Sequence, residues 1–198
     1  MKCLIWLLLC SSLFAETIAP DPSSSSFEVK QSGKFRVDTF DFSGVYPQLE
    51  NIDVDGRRKK NVEFHLTGEY PLLESVNYKG TFGSLSGELT GNFPLLSLIN
   101  FMCTSCAMRF DLNADWQRSC EINITGGTEN IVLKLPKNVG LVIHTTTAAR
   151  GKVIPCKGLK KKSWLGIFKK TYENELVESS PIIITLNIAL SDGSIILE

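Results

Sequence analysis

Two consecutive stretches of the chain are nearly the same: "GEYPLLESVNYKGTFGSLSGELT" at residues 68–90 and "GNFPLLSLINFMCTSCAMRFDLN" at residues 91–113. A short unit that cannot bury its own apolar face must bury it against a copy of itself. A tandem repeat therefore constrains the fold more than composition does. With a step of 23, Val76, Tyr78 and Phe82 meet Ile99, Phe101 and Ser105, while Leu85 and Leu89 meet Met108 and Leu112. One step further reaches Ile122, Ile124, Ile131, Leu133 and Leu135. One step back, with an extra residue in "GRRKK", reaches Ile52, Val54, Val62, Phe64 and Leu66. "VYPQLE" at residues 45–50 is a third copy of the aromatic-Pro-x-Leu opening, and "DWQRS" takes its place, without the proline, in the fourth unit.

Within each unit two runs alternate apolar and polar residues with period two, the signal of a half-buried strand. Gly56, Gly80, Gly83, Gly126 and Gly127 fall between the runs, where a turn is cheapest. The expected fold is all-β, a short β-solenoid of two-strand repeats with units near 44–67, 68–90, 91–113 and 114–136 inside a domain at 28–198.

Stacked copies put equivalent side chains in columns about 4.8 Å apart. Ile52, Val76, Ile99 and Ile122 form a buried column beside a polar one of Asp53, Asn77, Asn100 and Asn123. His65, Glu88, Asp111 and Lys134 form another. Asn123 also opens "NIT", a glycosylation sequon, but its place in the amide column makes it a rung first. Glu88 and Asp111 with His65 beside them could hold a cation or work as an acid–base pair; the simpler reading is a solvated charge ladder neutralised at one end by Lys134. His144 has no thiol or carboxylate near it in sequence and falls on a strand surface.

The amino terminus reads as a leader. "MKCLIWLLLCSSLFA" has an early lysine, an apolar stretch and a small residue at Ala15, which fits a signal peptide over residues 1–15. The stretch is shorter than the ~20 apolar residues of a membrane span. Acylation at Cys10 is an alternative, although Leu9 is larger than the small residue a bacterial lipidation site has there. Two prolines and four serines in the segment that follows predict a flexible linker over residues 16–27.

Past the fourth unit, "NVGLVIHTTTAARGKVI" continues the strand pattern. "SPIIITLNIALSDGSIILE" places a Ser191-Asp192-Gly193-Ser194 turn between two apolar runs, which predicts a hairpin capping the open end of the solenoid. Between them lies "KGLKKKSWLGIFKK", residues 157–170, with no acid in it. Its Lys160, Lys161, Lys162, Trp164, Phe168, Lys169 and Lys170 suit contact with an anionic membrane surface or an acidic partner. The alternative is a loop that tucks its aromatics over the core and leaves its lysines in water.

"GGTENIVLKLPKNVGLVIHTTTAARGKVI", residues 126–154, resembles the bacterial toast-rack domains found in cell-wall-active antibiotic response proteins and adhesin-like solenoids. The shared features are Gly126-Gly127, Leu135-Pro136-Lys137, Val139-Gly140-Leu141, Gly151-Lys152-Val153 and Gly193-Ser194-Ile195. The resemblance covers about residues 68–198. It implies a β-solenoid of the bacterial envelope and supplies no catalytic residues. The cysteines and the Pro-Leu-Leu openings depart from it.

Cleavage near Ala15 leaves Cys103, Cys106, Cys120 and Cys156, an even number in an exported chain and hence candidates for disulfides. "CTSC" has the spacing of a redox motif, but Cys103 and Cys106 sit between strands rather than at a helix start that would lower a thiol pKa. Zero net charge and a pI near 6.7 give nucleic acid no footing. No nucleophile–base pair, phosphate loop, metal signature or cofactor motif stands out. The function read from the sequence is a non-enzymatic, exported envelope protein of periplasm or cell surface, a scaffold or binding module for a protein or glycan. The alternative is an envelope thiol-redox factor using Cys103 and Cys106.

Overall fold

A computed structural model describes residues 16–30, 37–56, 61–164 and 168–198. The expected signal peptide with Cys10, and the inserted residue of "GRRKK", lie outside the described residues. In chain order the strands are β1 (Glu16–Ile18), β2 (Ser26–Lys30), β3 (Val37–Asp41), β4 (Asn51–Asp55) and β5 (Asn61–Leu66). They continue with β6 (Ser75–Leu89), β7 (Asn92–Phe93), β8 (Leu98–Asp111), β9 (Asp115–Trp116), β10 (Cys120–Gly126) and β11 (Ile131–Lys134). The last are β12 (Gly140–Thr147), β13 (Lys152–Ile154), β14 (Lys160–Trp164), β15 (Lys169–Glu173), β16 (Ile183–Leu190) and β17 (Ser194–Leu197).

These strands coil into an all-β stack with two sheet sides. On the first side β2, β4, the start of β6, the start of β8, β10, β16 and β12 pair in parallel. On the second, β1, β3, β5, the end of β6, the end of β8, β11, β17 and β13 do the same. The register places like on like. Phe27, Ile52, Val76, Ile99, Ile122, Leu186 and Ile143 make one buried column, and nearly all of them are fully enclosed. Such burial is worth about 1.5–3 kcal/mol per large aliphatic side chain.

The repeated Pro-Leu-Leu opening makes the third side. Tyr46, Tyr70 and Phe93 stack nearly parallel, with centroids 5.6 and 5.1 Å apart, and Trp116 follows at 6.2 Å. Without the proline, the Trp116 indole N–H anchors the turn by donating to the Leu112 carbonyl at 3.0 Å. Gly68 is required here: a Cβ would collide with the Gly44 carbonyl oxygen of the coil below.

Three expectations need correction. First, the two middle units are not pairs of short strands. β6 and β8 each run through the corner unbroken, and the inward-facing phase flips there instead. In β8, Ile99, Phe101 and Cys103 face in, then Cys106, Met108 and Phe110. Two successive outward residues, Thr104 and Ser105, make the corner; in β6 the same bend uses Gly83 at φ 112°.

Second, the final two strands are no capping hairpin. β16 and β17 do not pair with each other. β16 lies between β10 and β12, and β17 between β11 and β13, all parallel. The Ser191–Ser194 turn is real, with Gly193 at φ 97°, but it is a solenoid corner, its Ser191 and Asp192 N–H groups donating to the Gly127 carbonyl of the coil beside it. The last rung in sequence is an inner rung in space. The end is covered instead by the antiparallel β14–β15 pair, β15 lying on β12.

Third, the linker expected over residues 16–27 contains β1, paired in parallel with β3, and its Phe27 is buried. Ile18 packs in the same column as Phe40, so this stretch carries enough apolar surface to add a lower coil.

Candidate functional site

No single cleft dominates, so the chemistry-bearing residues are followed along the outer faces. On the first side Asn77 donates to Asp53 Oδ1 at 2.8 Å, Asn100 to Asn77 Oδ1 at 2.7 Å and Asn123 to Asn100 Oδ1 at 3.0 Å. Asn187, on β16, continues the series by donating to Asn123 Oδ1 at 2.9 Å. Every amide donates toward the amino-terminal end, so the aligned dipoles run their positive end into the Asp53 carboxylate. That is the favourable sense, as at a helix N-terminus. His144 stands next in register beyond Asn187, and its Nδ1 lies 3.1 Å from Thr171 Oγ1. Asn123 is thus occupied on both sides within the sheet face, as a rung.

On the second side the expected charge column forms. Lys134 Nζ lies 2.6 Å from Asp111 Oδ2, and His65 lies between Glu63 at 3.7 Å and Glu88 at 4.0 Å. Arg109 and Glu198 join it at 3.5 Å. A shallow groove runs across this face, lined by His65, Glu88, Asp111, Lys134 and Glu198. Its charges pair along the stack rather than converging on a point. Among the described residues no group of three or more His, Cys, Asp or Glu is placed to hold a metal ion.

Of the four cysteines, Cys103 and Cys106 are bonded to each other across the inside of the β8 corner, both enclosed by the core. Cys120 and Cys156 are free and do not join them. Cys120 is buried, and desolvation pushes its thiol up to about 12.

The lysine-rich segment becomes β14 and the start of β15. Its cations meet acids that follow in sequence: Lys160 with Glu175 at 2.9 Å, and Lys162 with Glu173 at 3.5 Å and Glu178 at 4.0 Å. Lys160 chiefly, by hydrogen bond and charge, holds the Glu175 carboxyl below its ordinary value. Phe168 stays largely exposed, whereas Tyr172 of β15 covers Ile143 at the end of the core column. Residues 165–167 and the Trp164 side chain lie outside the described residues.

Two features were missed from sequence. The acids Glu173, Glu175 and Glu178 lie just past the lysine-rich segment at residues 157–170. Asn187 had a visible signal: apolar-Asn-apolar recurs as Val76-Asn77-Tyr78, Ile99-Asn100-Phe101, Ile122-Asn123-Ile124 and Leu186-Asn187-Ile188. Only its distance from the regular spacing concealed it.

Compared with family models and with curated proteins, the sequence gives no match. Among solved structures it is similar to a "putative cell adhesion protein" from Clostridium sporogenes, with 21% identity and a TM-score of 0.50 over 64% of this chain. The match spans 57% of that protein, a little over half its length. At that identity the likeness is one of fold, an all-β stack of strands.

Proposed function

We propose that this chain is an exported, non-enzymatic binding or scaffold protein of the bacterial cell envelope, which meets a protein or glycan partner on the flat outer face of its first side. The observation that carries the reading is the ladder from Asp53 to Asn187. Each amide uses one N–H along the column. On Asn100 and Asn123 the second N–H of the primary amide is left for a ligand lying along the face, whereas Asn187 gives its own to Glu121 Oε1 at 3.0 Å and Asn77 reaches Ser75 Oγ at 3.5 Å. Repetition at strand spacing suits an extended, repeating partner better than a small molecule. Exposed Met102 and half-exposed Leu98 add apolar contact beside the amides.

Export is supported by the leader-like start and by the Cys103–Cys106 disulfide, since such bonds persist in oxidising compartments. The name of the structural neighbour, a "putative cell adhesion protein", and the toast-rack resemblance support the same reading. A thiol-redox role has less support, because both bonded sulfurs are enclosed and away from any attacking thiolate.

The test presents the purified protein to isolated envelopes and to arrayed glycans. An Asn100→Lys/Asn123→Lys form should fold but lose retention, while Arg109→Ser on the second side keeps it. Equal retention by all three, or insulin reduction by the native protein, would overturn the reading.

A further inference from the structure

The rung β16–β17 sits between two coils that precede it in the chain. Its walls are matched: Leu186 pairs with both Ile122 and Ile143, and Ile188 with both Ile124 and Thr145. On the second side Ile195 pairs with both Ile131 and Val153. The two walls therefore share one phase, and between them they present facing rows of backbone N–H and C=O groups. Any strand alternating as Ile184, Leu186, Ile188 and Leu190 do satisfies both rows at once. Left empty, the slot has two open parallel edges, which pair readily with whatever strand is available.

The occupant is weakly tethered. It is joined to the rest through residues 174–182, where no residue is buried and a single 3-10 turn, Glu175–Glu178, is the only regular element. Asn174 fixes the start of this connection, its Nδ2 donating to the Val139 carbonyl at 2.8 Å and its Oδ1 accepting from the Leu141 N–H at 2.9 Å. No disulfide ties the rung down, since the described bond joins Cys103 to Cys106. A second copy of the chain carries an identical strand, and it would make the same contacts in the slot.

We propose that this slot is a strand-acceptor site and that a second copy of the chain can fill it, giving a dimer in which the two C-terminal rungs are exchanged. The exchange forms no new kind of contact and reorders only the connection at residues 174–182, which is the low-cost route by which single domains become dimers.

Two full-length forms test this in a Cys156→Ser background, one carrying Glu121→Cys and the other Thr185→Cys. These two positions are neighbours in register. The forms are unfolded together, refolded over a range of concentrations, and treated with a short bis-maleimide. The expected result is a covalent heterodimer whose share rises several-fold with concentration and which elutes as a dimer before treatment. A single chain with both substitutions should cross-link internally. If it does so while the mixture gives no heterodimer at any concentration, the rung is private to its own chain and the proposal fails. If the doubly substituted chain does not cross-link internally, the register of the rung is wrong and the proposal fails with it.

Discussion

Asn187 donates its side-chain N–H to Asn123 Oδ1 at 2.9 Å, although 64 residues separate the two in sequence. The amide column is therefore continuous across the inserted rung, and all its donors point one way. A carboxylate in mid-column would break that order. In an Asn100→Asp form the lost donor leaves an oxygen facing Asn77 Oδ1, where Asn100 now donates at 2.7 Å. The expected cost is about 1–2 kcal/mol at neutral pH. Repulsion from the facing oxygen raises the folded-state pKa of the introduced carboxyl above its unfolded value. The penalty is thus fully present above that raised pKa and shrinks as pH falls through it, because the protonated acid can donate again. Denaturant unfolding of both forms from pH 7 to pH 3 checks it; a gap that widens toward acid contradicts the assigned direction of the ladder. Ile99→Asp, by contrast, buries a charge in a fully enclosed column and should abolish folding.

The inner position of the last rung makes its side chains as costly to lose as those of the central coils. Leu186 is fully buried between Ile122 and Ile143. Leu186→Ala should cost about 2–5 kcal/mol, and Thr185→Ala, facing out, under about 1 kcal/mol. A terminal cap would fray on its own, so the unfolding curve decides: one shared transition that moves with Leu186→Ala fits an inner rung. A separate early transition would fit a cap.

Much of this fold is legible in the sequence, and the part that is not has a physical cause. The buried column through Ile52, Val76, Ile99 and Ile122 and the amide column beside it follow from spacing, because each coil pairs with the next along the chain. The destination of residues 183–197 does not follow. A Ser-Asp-Gly-Ser turn fixes where the chain bends and is the same at a hairpin and at a solenoid corner. The choice between them is made by Ile122, Ile143, Ile131 and Val153, far away in sequence. The lower coil was hidden differently: β1 and the first two residues of β2 fall within residues 16–27, where the serines and prolines have the composition of a linker.

The cysteines should separate by reactivity. Cys156 is partly exposed and free, Cys120 is buried with its thiol raised to about 12, and the other two are bonded. At pH 8 the Cys120 thiol is almost wholly protonated, and a thiol rather than a thiolate does not alkylate. Brief alkylation followed by peptide mapping should label Cys156 within minutes and Cys120 only in denaturant. The Cys103→Ser/Cys106→Ser form should keep its fold and lose about 2 kcal/mol, since the bridged loop is short. Rapid labelling of Cys120 in native protein would contradict its place in the core.

The lysines of β14 are the last point where sequence and structure lead to different tests. Read alone, residues 157–170 carry charge for an anionic surface. In the fold, Lys160 and Lys162 lie against Glu173, Glu175 and Glu178, and β14 is the outermost strand of its sheet side. Lysines on an edge strand discourage another chain from pairing there, and the irregular register between Lys161 and Ser163 adds to this. Each exposed ion pair contributes little stability, under about 1 kcal/mol. Together the three acids offset the local positive potential within a Debye length of about 8 Å at physiological salt. The expected result is no co-sedimentation of the native protein with phosphatidylserine vesicles at that salt. A Glu173→Gln/Glu175→Gln/Glu178→Gln form, with its lysines released, should bind them at low salt and come off as salt rises. Replacing Lys160, Lys161 and Lys162 by threonine should instead promote end-to-end association, seen as light scattering that grows with concentration. Salt-sensitive vesicle binding by the native protein, unchanged in the triple glutamine form, would restore the membrane role that the lysines suggest on their own.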